Sequence, residues 1–363
     1  MPNLTSRERF IRCCLGQDVD RAPFLLYWGP WGSTWERWKR EGMTHASYEA
    51  LRHALGADPS PHQLPINFGA CPVFGKILEE DEHSITFIDR WGITRRDLKT
   101  TDSMSEFIDF PVKNWDDWRR YKKERLDPEH PDRFADGWLD LAREWMKRDL
   151  PIQLGGFPDV TLFGAVRWMM GDEECLIAYH EQPDLVHDIM ETFNRLALSI
   201  YQKVIDAGVR VDLLHIWEDM AGRAGPLLSP THVREFMTPR YRRWRDFADR
   251  NNIPLMSVDS DGYPDLILPA IIDGGVNLFF PLEVAAGCDV NVFQQKYPTL
   301  AFMGGIDKRV LAATPDEIDA EIARIQPAIR RGRYIPELDH LIPNDVSWSN
   351  FQHYARRLRE ALA

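Results

Sequence analysis

From about residue 150 onward, short apolar runs alternate with longer stretches of mixed polarity. The runs fall at 151–154, 211–216, 253–258, 276–280, 299–303 and 333–336. They are too short for helices and apolar at neighbouring positions, the pattern of strands covered on both faces. Helical periodicity fills the gaps at 181–207, 230–251, 263–274 and 314–331. Strand–helix alternation of this kind predicts a parallel sheet. An earlier apolar run at 24–27 raises the strand count towards eight. The expected class is therefore α/β, a (β/α)8 TIM barrel. A doubly wound sheet has the same rhythm, but no glycine-rich phosphate fingerprint follows any strand.

The N-terminal part is less regular. Thr5 or Ser6 is placed to cap a first helix that ends near Gly16, and residues 47–55 form a second helical pattern stopped at Gly56. The Trp/Gly-rich segment 28–33 reads as a loop. Residues 84–89 and 92–96 predict a hairpin around Arg90 and Trp91. A charged, Trp-rich stretch at 114–148 has a proline break at 127–131 and a helix from about Pro131. Residues 60–148 are read as an irregular insertion, a helical and hairpin excursion from a single barrel domain spanning 1–363.

Composition narrows the function. The formal net charge of -12 argues against nucleic-acid binding, which needs a basic footprint. The five cysteines are widely spaced without a Cys-x-x-Cys pair, so reduced structural thiols are expected rather than a disulfide framework. The first residues lack the apolar stretch of a signal peptide, and no apolar run is long enough for a bilayer. A cytoplasmic location is expected.

In a barrel of this kind chemistry sits at the C-terminal ends of the strands. Just past the predicted strands stand His215, Glu218 and Asp219; Asp259 and Asp261; Glu283; Asp307; and Glu337, Asp339 and His340. A single Asp after a strand is as often a helix cap or turn residue. Converging carboxylates, however, must take up protons, pair with cations or bind a metal. His215 and His340 with Glu218, Asp259 or Asp261 make a mixed N/O donor set that suits zinc, iron or manganese, while His215, inside an apolar run, equally reads as a core histidine. Arg167 and Arg223 are candidates to clamp a substrate carboxylate, with a local ion pair as the alternative for each. No Gly-x-Ser-x-Gly elbow and no P-loop occur.

The segment Gly225-Pro226-Leu227-Leu228-Ser229-Pro230 resembles the Gly-Pro-Leu-Ile-Ser-Pro stretch of the uroporphyrinogen decarboxylase superfamily. Glu235-Phe236 with Pro239, Leu268-Pro269, Gly304-Gly305-Ile306-Asp307, Thr314-Pro315-Asp316-Glu317, and Tyr334-Ile335-Pro336 with Asp339-His340 and Pro343 continue the likeness. It covers most of the chain, best from about residue 155. The resemblance implies the barrel fold, frequent pairing into homodimers, and one of two chemistries. One is cofactor-free decarboxylation of a tetrapyrrole. The other is methyl transfer involving a corrinoid carried on a separate protein, with zinc held by His and Cys.

The chain departs from both patterns. Where the decarboxylases have Met-Arg-Gln-Ala-Gly-Arg, it has Tyr27-Trp28-Gly29-Pro30-Trp31-Gly32. Where the methyltransferases have His-x-Cys-Gly, it has Asp259-Ser260-Asp261-Gly262. The expected function is transfer of a methyl group from a small methylated compound, with a divalent metal as Lewis acid and a corrinoid protein as partner. Catalytic roles are expected for Glu218, Asp259, Asp261 and His340, and metal ligation for His215 and the same four. Trp28, Trp31, Arg167, Arg223, Glu283, Asp307 and Asp339 are expected to bind substrate. The alternatives are a cofactor-independent decarboxylase on a carboxylated substrate, a glycosidase using paired carboxylates, and a barrel that binds without catalysing.

Overall fold

The structure, a computed structural model, describes residues 4–99 and 104–363. At its centre seven strands form one parallel sheet: His62–Gln63, Ile152–Gly155, Leu213–Trp217, Leu255–Asp259, Leu278–Leu282, Ala301–Ile306 and Tyr334–Leu338. Neighbours in the sheet follow chain order without exception. That order, with helices in the crossovers, produces the curled sheet of an α/β barrel, as the alternating pattern predicts.

The predicted strand at 24–27 lies at the eighth place but makes no ladder. It is held at the Tyr334–Leu338 edge by its Tyr27 amide, which donates to Glu337 Oε2 at 2.8 Å. A parallel bridge between Pro30 and Ile342 follows. Pro23 has no amide to give, and Leu26 sits at φ 49°, which breaks the extended backbone a ladder requires. The other six predicted strands start one or two residues later than their apolar runs and end one to three later. The leading residues serve the approach turn instead: Asp212 accepts from the Ile152 amide, and Asn277 exchanges bonds with Met256 and Pro254. At the far ends two of the strands continue into carboxylates, Asp259 and Glu337, and others into glycine or proline, which an apolar run does not mark.

Inside the ring, alternation sorts the side chains into layers. Leu213, Leu255, Leu278 and Ala301 form an apolar layer against Phe10, Cys13 and Cys14. Those three belong to the first helix, Ser6–Leu15, which starts at a Thr5/Glu8 capping box and ends at Gly16 in the left-handed region. Arg9 binds both Asp20 and Asp58, tying this helix to the following segment. The helix thus plugs the N-terminal end of the barrel, and the strands' C-terminal ends form the mouth.

The long helix Pro183–Asp206 buries one stripe, and packs against the Phe163–Met170, Asp172–Glu181 and Thr238–Arg250 helices. The predicted helix at 230–251 is interrupted by a π turn, Val233–Met237, a local irregularity that side-chain periodicity does not reveal. The predicted helix at 263–274 shortens to Leu268–Asp273, because Pro264 lies within its expected start.

The predicted hairpin is the middle of a four-stranded antiparallel sheet: Lys76–Glu80, Ser84–Ile88, Thr94–Leu98 and Glu106–Asp109. Its outer strands are mostly exposed on both faces, apolar residues such as Ile77 and Leu78 included, so alternation is weak there. Trp91 packs on Phe193 and Phe107 on Trp168, which anchors the sheet to the helical layer. The helix expected from Pro131 begins as a 3-10 turn, Pro131–Arg133, and becomes α-helical only at Trp138–Lys147, after Gly137. Among the described residues no helix is long and apolar enough to cross a membrane.

Candidate active site

The inward positions of two neighbouring strands build the floor of the mouth. His215 is in register with Ser257, and Asp259 with Trp217 and Phe280. His215 Nδ1 lies 2.7 Å from Ser257 Oγ, and the imidazole stacks on Phe280 at 5.0 Å. Its Nε2 faces Asp259 Oδ2 at 3.8 Å, beyond hydrogen-bonding reach. Burial lowers the His215 pKa to about 4, so the ring is neutral at pH 7. The ring has room because residue 156 is glycine: a Cβ there would come within 2.6 Å of His215 Cδ2.

The Asp259 carboxylate is 14% exposed, and among the described residues no donor hydrogen-bonds to it. Burial, then the charges of Asp261 and Asp219, push its pKa well above the usual carboxylate range. Asp261 stands higher, on the rim, 41% exposed, with Oδ2 3.7 Å from His340 Nε2. Its pKa rises to about 7, through burial and then Asp219 and Glu283, with Lys308 opposing. His340 stacks on Trp28 at 4.7 Å. Burial, then Lys308, lowers its pKa to about 4.

Other groups fix the loops around these pairs. Asp339, fully buried, accepts from the amides of Val284 and Lys308, joining three strand-end loops. Glu283 accepts from the Gly262 amide at 2.9 Å. Gly262 itself has φ +83°, and a Cβ there would lie 2.4 Å from the Ala221 carbonyl. Glu337 is buried beneath, bound by the Tyr27 and Leu338 amides, and burial raises its pKa to about 7. Among the described residues, Trp28 Nε1 is a buried donor without a hydrogen-bond partner.

Several expected site residues are placed elsewhere. Glu218 follows the inward Trp217, so alternation turns it outward, into the helical layer. There it accepts from the Leu162 and Phe163 amides, Thr161 Oγ1 and the Tyr241 hydroxyl. The first three donors open the Phe163–Met170 helix and Tyr241 belongs to the Thr238–Arg250 helix, so Glu218 ties these helices together rather than facing the mouth. Arg167 is engaged by Asp172 and by Asp219, through both its carbonyl and its carboxylate. These are the local ion pairs that stood as the alternative to a substrate clamp. Arg223 is exposed at the tip of the short hairpin joining Ala221–Gly222 to Gly225–Pro226. Asp307 caps a 3-10 turn and binds Arg309. Trp31 begins the Gly32–Arg40 helix, its amide on the Ile342 carbonyl.

The expected metal set is not assembled. Glu218 faces away, and the remaining four residues form two separate His–Asp pairs, one on the floor and one on the rim. Among the described residues no three His, Cys, Asp or Glu side chains converge as ligands. The donor arrangement does not fit a resident zinc or other divalent ion, which corrects that expectation. Two contributors escape the sequence reading. Lys308, adjacent to Asp307, is a cation acting on Asp261, His340 and Asp339. Phe280 supplies the aromatic face beneath His215; period-two counting from Leu278 points to it.

A mouth lined by strand-end Asp, Glu and His residues on a plugged barrel can be set beside known proteins. The family model "Uroporphyrinogen decarboxylase (URO-D)" matches residues 162–361. The chain belongs to that family. Among solved structures, a methyltransferase from Methanosarcina mazei superposes with a TM-score of 0.65 at 16% identity, covering 99% of this chain and 100% of that one. It shares the fold. A B12-independent methionine synthase from Shewanella gives a TM-score of 0.37 at 10% identity, covering 63% of this chain and 67% of that one. A 3-keto-L-gulonate-6-phosphate decarboxylase from Vibrio cholerae gives 0.29 at 12% identity, covering 63% and 79%. No curated protein sequence matches.

Proposed function

We propose that this chain is a methyltransferase-type member of its family, taking a methyl group from a small methylated compound held in the barrel mouth. The observation that carries the reading is the composition of that mouth. Asp219, Asp259, Asp261 and Glu283 gather with one lysine among aromatic rings, and Arg167 is already bound by aspartates. Carboxylates held this close repel an anionic substrate, which disfavours the polycarboxylates that a decarboxylase of this family would take. They accept a neutral or cationic one. The fold shared with a protein named as a methyltransferase points the same way.

In this reading Trp28 and Phe280 wall the methyl donor, and Asp259 holds its polar end against His215. Methyl transfer leaves the bonding electron pair on the donor's heteroatom: an ammonium donor departs as a neutral amine, whereas an ether or thioether leaves an anion that takes up a proton. Asp261, poised near neutrality and half exposed beside His340, relays that proton from solvent. The methyl acceptor comes from outside the chain. The family resemblance implies a corrinoid on a second protein, whose chemistry is to take up the methyl group.

The test is to incubate the purified protein with a reduced corrinoid and a panel of methylated ethers, thioethers and ammonium compounds. Demethylated product, seen by mass spectrometry and lost in Asp259→Asn, is the expected result. Release of carbon dioxide from a carboxylated substrate, with no demethylation across the panel, would overturn the reading.

A further inference from the structure

We infer that the compound held in this mouth is a small methylated ammonium ion, recognised as a cation between the floor carboxylate and the aromatic wall. The inference rests on the proposed site and adds the charge of its ligand.

The charges facing the mouth come from five strand ends, and they do not balance. Asp219 follows the strand that carries His215. Asp259 and Asp261 end the next, and Glu283 follows the third. Lys308 follows the fourth, and Asp339 and His340 the last. Both histidines are neutral at pH 7. With Asp219 paired to Arg167, one lysine therefore stands against the four other carboxyl groups. Asp339 has two amide donors and Glu283 one. Among the described residues Asp259 has neither a hydrogen-bond donor nor a paired cation, although its side chain is only 14% exposed.

A second, independent feature points to an absent ligand at the same place. The His215 side chain is 4% exposed, yet among the described residues its Nε2 finds no hydrogen-bond partner and faces Asp259 across 3.8 Å. Buried polar atoms in native proteins nearly always have partners. Here an acceptor carboxylate and an imidazole nitrogen share a space bordered by Phe280, with Trp28 at 6.2 Å from that ring. An ammonium ion with methyl substituents matches both demands. Its charge answers the carboxylate, and its methyl groups, which carry that charge, lie against aromatic faces. A neutral methyl ether leaves the charge of the carboxylate unanswered, and a metal ion gains nothing from the aromatic faces.

Isothermal titration calorimetry with three probes of one shape tests this: tetramethylammonium, tert-butanol and pivalate, at constant ionic strength with sodium as the control cation. Tetramethylammonium is expected to bind at least tenfold more tightly than tert-butanol, with no binding by pivalate. Asp259→Asn is expected to weaken the cation at least tenfold, and Trp28→Leu severalfold, both variants keeping the wild-type circular dichroism. If Trp28→Leu does not fold, Trp28→Phe serves in its place, with a smaller loss. Equal binding of cation and alcohol, or cation binding indifferent to Asp259→Asn, would overturn the inference. Demethylation of neutral donors without cation binding would remove this inference and leave the methyl-transfer reading standing. Cation binding without demethylation of any compound would do the reverse.

Discussion

His215 and Asp259 face each other on the floor of the barrel with Nε2 and Oδ2 3.8 Å apart, close enough to share a ligand and too far to satisfy one another. Each resists its charged form, His215 because it is buried and Asp259 because it is buried beside Asp261 and Asp219. Replacing the carboxylate by an amide keeps its shape and removes its charge. Asp259→Asn is expected to lower kcat/KM for methyl transfer by about 100-fold or more, the scale of losing a charge-bearing catalytic group. Its melting temperature at pH 8 should be unchanged or higher, since the amide relieves repulsion. Steady-state kinetics and a thermal melt on one preparation check both; a loss of activity that tracks a loss of fold would contradict the assignment.

Glu218 gives the opposite expectation. It lies in the helical layer and answers four donors, three of them at the start of the Phe163–Met170 helix. Glu218→Ala leaves those donors buried without an acceptor and is expected to cost about 3–5 kcal/mol of stability. Glu218→Gln retains one acceptor oxygen and should cost about 1–2 kcal/mol. Urea denaturation measures both. A catalytic Glu218 would show the converse, with Glu218→Gln fully stable and inactive.

The contrast between these two residues explains what the sequence discloses. The strands of the C-terminal half are legible because they are buried on both faces and bounded by helical periodicity. The site's position follows from the barrel alone, since its mouth must collect the strand ends. Which strand-end residues enter the mouth is a matter of strand phase. Counting by two from Leu213 brings His215 and Trp217 inward and sends Glu218 out. The same count from Leu255 brings in Ser257 and Asp259. The ends of strands are least sharply marked in hydrophobicity where the site makes them polar, so the phase is lost where it matters most. Arg167 and Asp307 carry the right chemistry, but their partners, Asp172, Asp219 and Arg309, are fixed by loop geometry that a linear reading does not supply. The excursion is legible only at its central hairpin, because its edge strands have no buried face to impose alternation.

Gly262 should be intolerant of any side chain. It joins Asp261 to the rest of the rim, donates its amide to Glu283, and approaches the Ala221 carbonyl more closely than a Cβ allows. Its φ of +83° adds a backbone penalty of about 1–2 kcal/mol for an L-residue. Gly262→Ala is therefore expected to lose at least about 2 kcal/mol of stability, combining that penalty with the carbonyl clash. It should also weaken ligand binding in the mouth, because the rim carboxylate Asp261, next to Asp259 in the chain's strand-end turn, moves with it. Calorimetric unfolding and the tetramethylammonium titration report the two effects separately.

The rim carboxylate also sets a pH dependence whose sign is opposite to that of ordinary ion-paired aspartates. The folded-state pKa of Asp261 is raised to about 7, whereas an Asp in the unfolded chain titrates near ~4. Between those values the folded state holds more protons than the unfolded one, so stability falls as pH rises through the interval. Glu337, also raised to about 7, and Asp339, raised to about 6, act in the same direction. His215 and His340 act against them. Their folded pKa values of about 4 lie below the unfolded ~6.5, so they destabilise the fold as pH drops through that range. Asp261→Asn isolates the carboxylate's share, because asparagine mimics the protonated form at every pH. The variant's melting temperature minus that of the wild type is expected to be near zero below pH 4, to grow between pH 4 and 7, and to level off above. A difference that instead shrinks with rising pH would mean that Asp261 is stabilised by a cation in the folded protein, with Lys308 acting on it more strongly than burial and the neighbouring carboxylates combined.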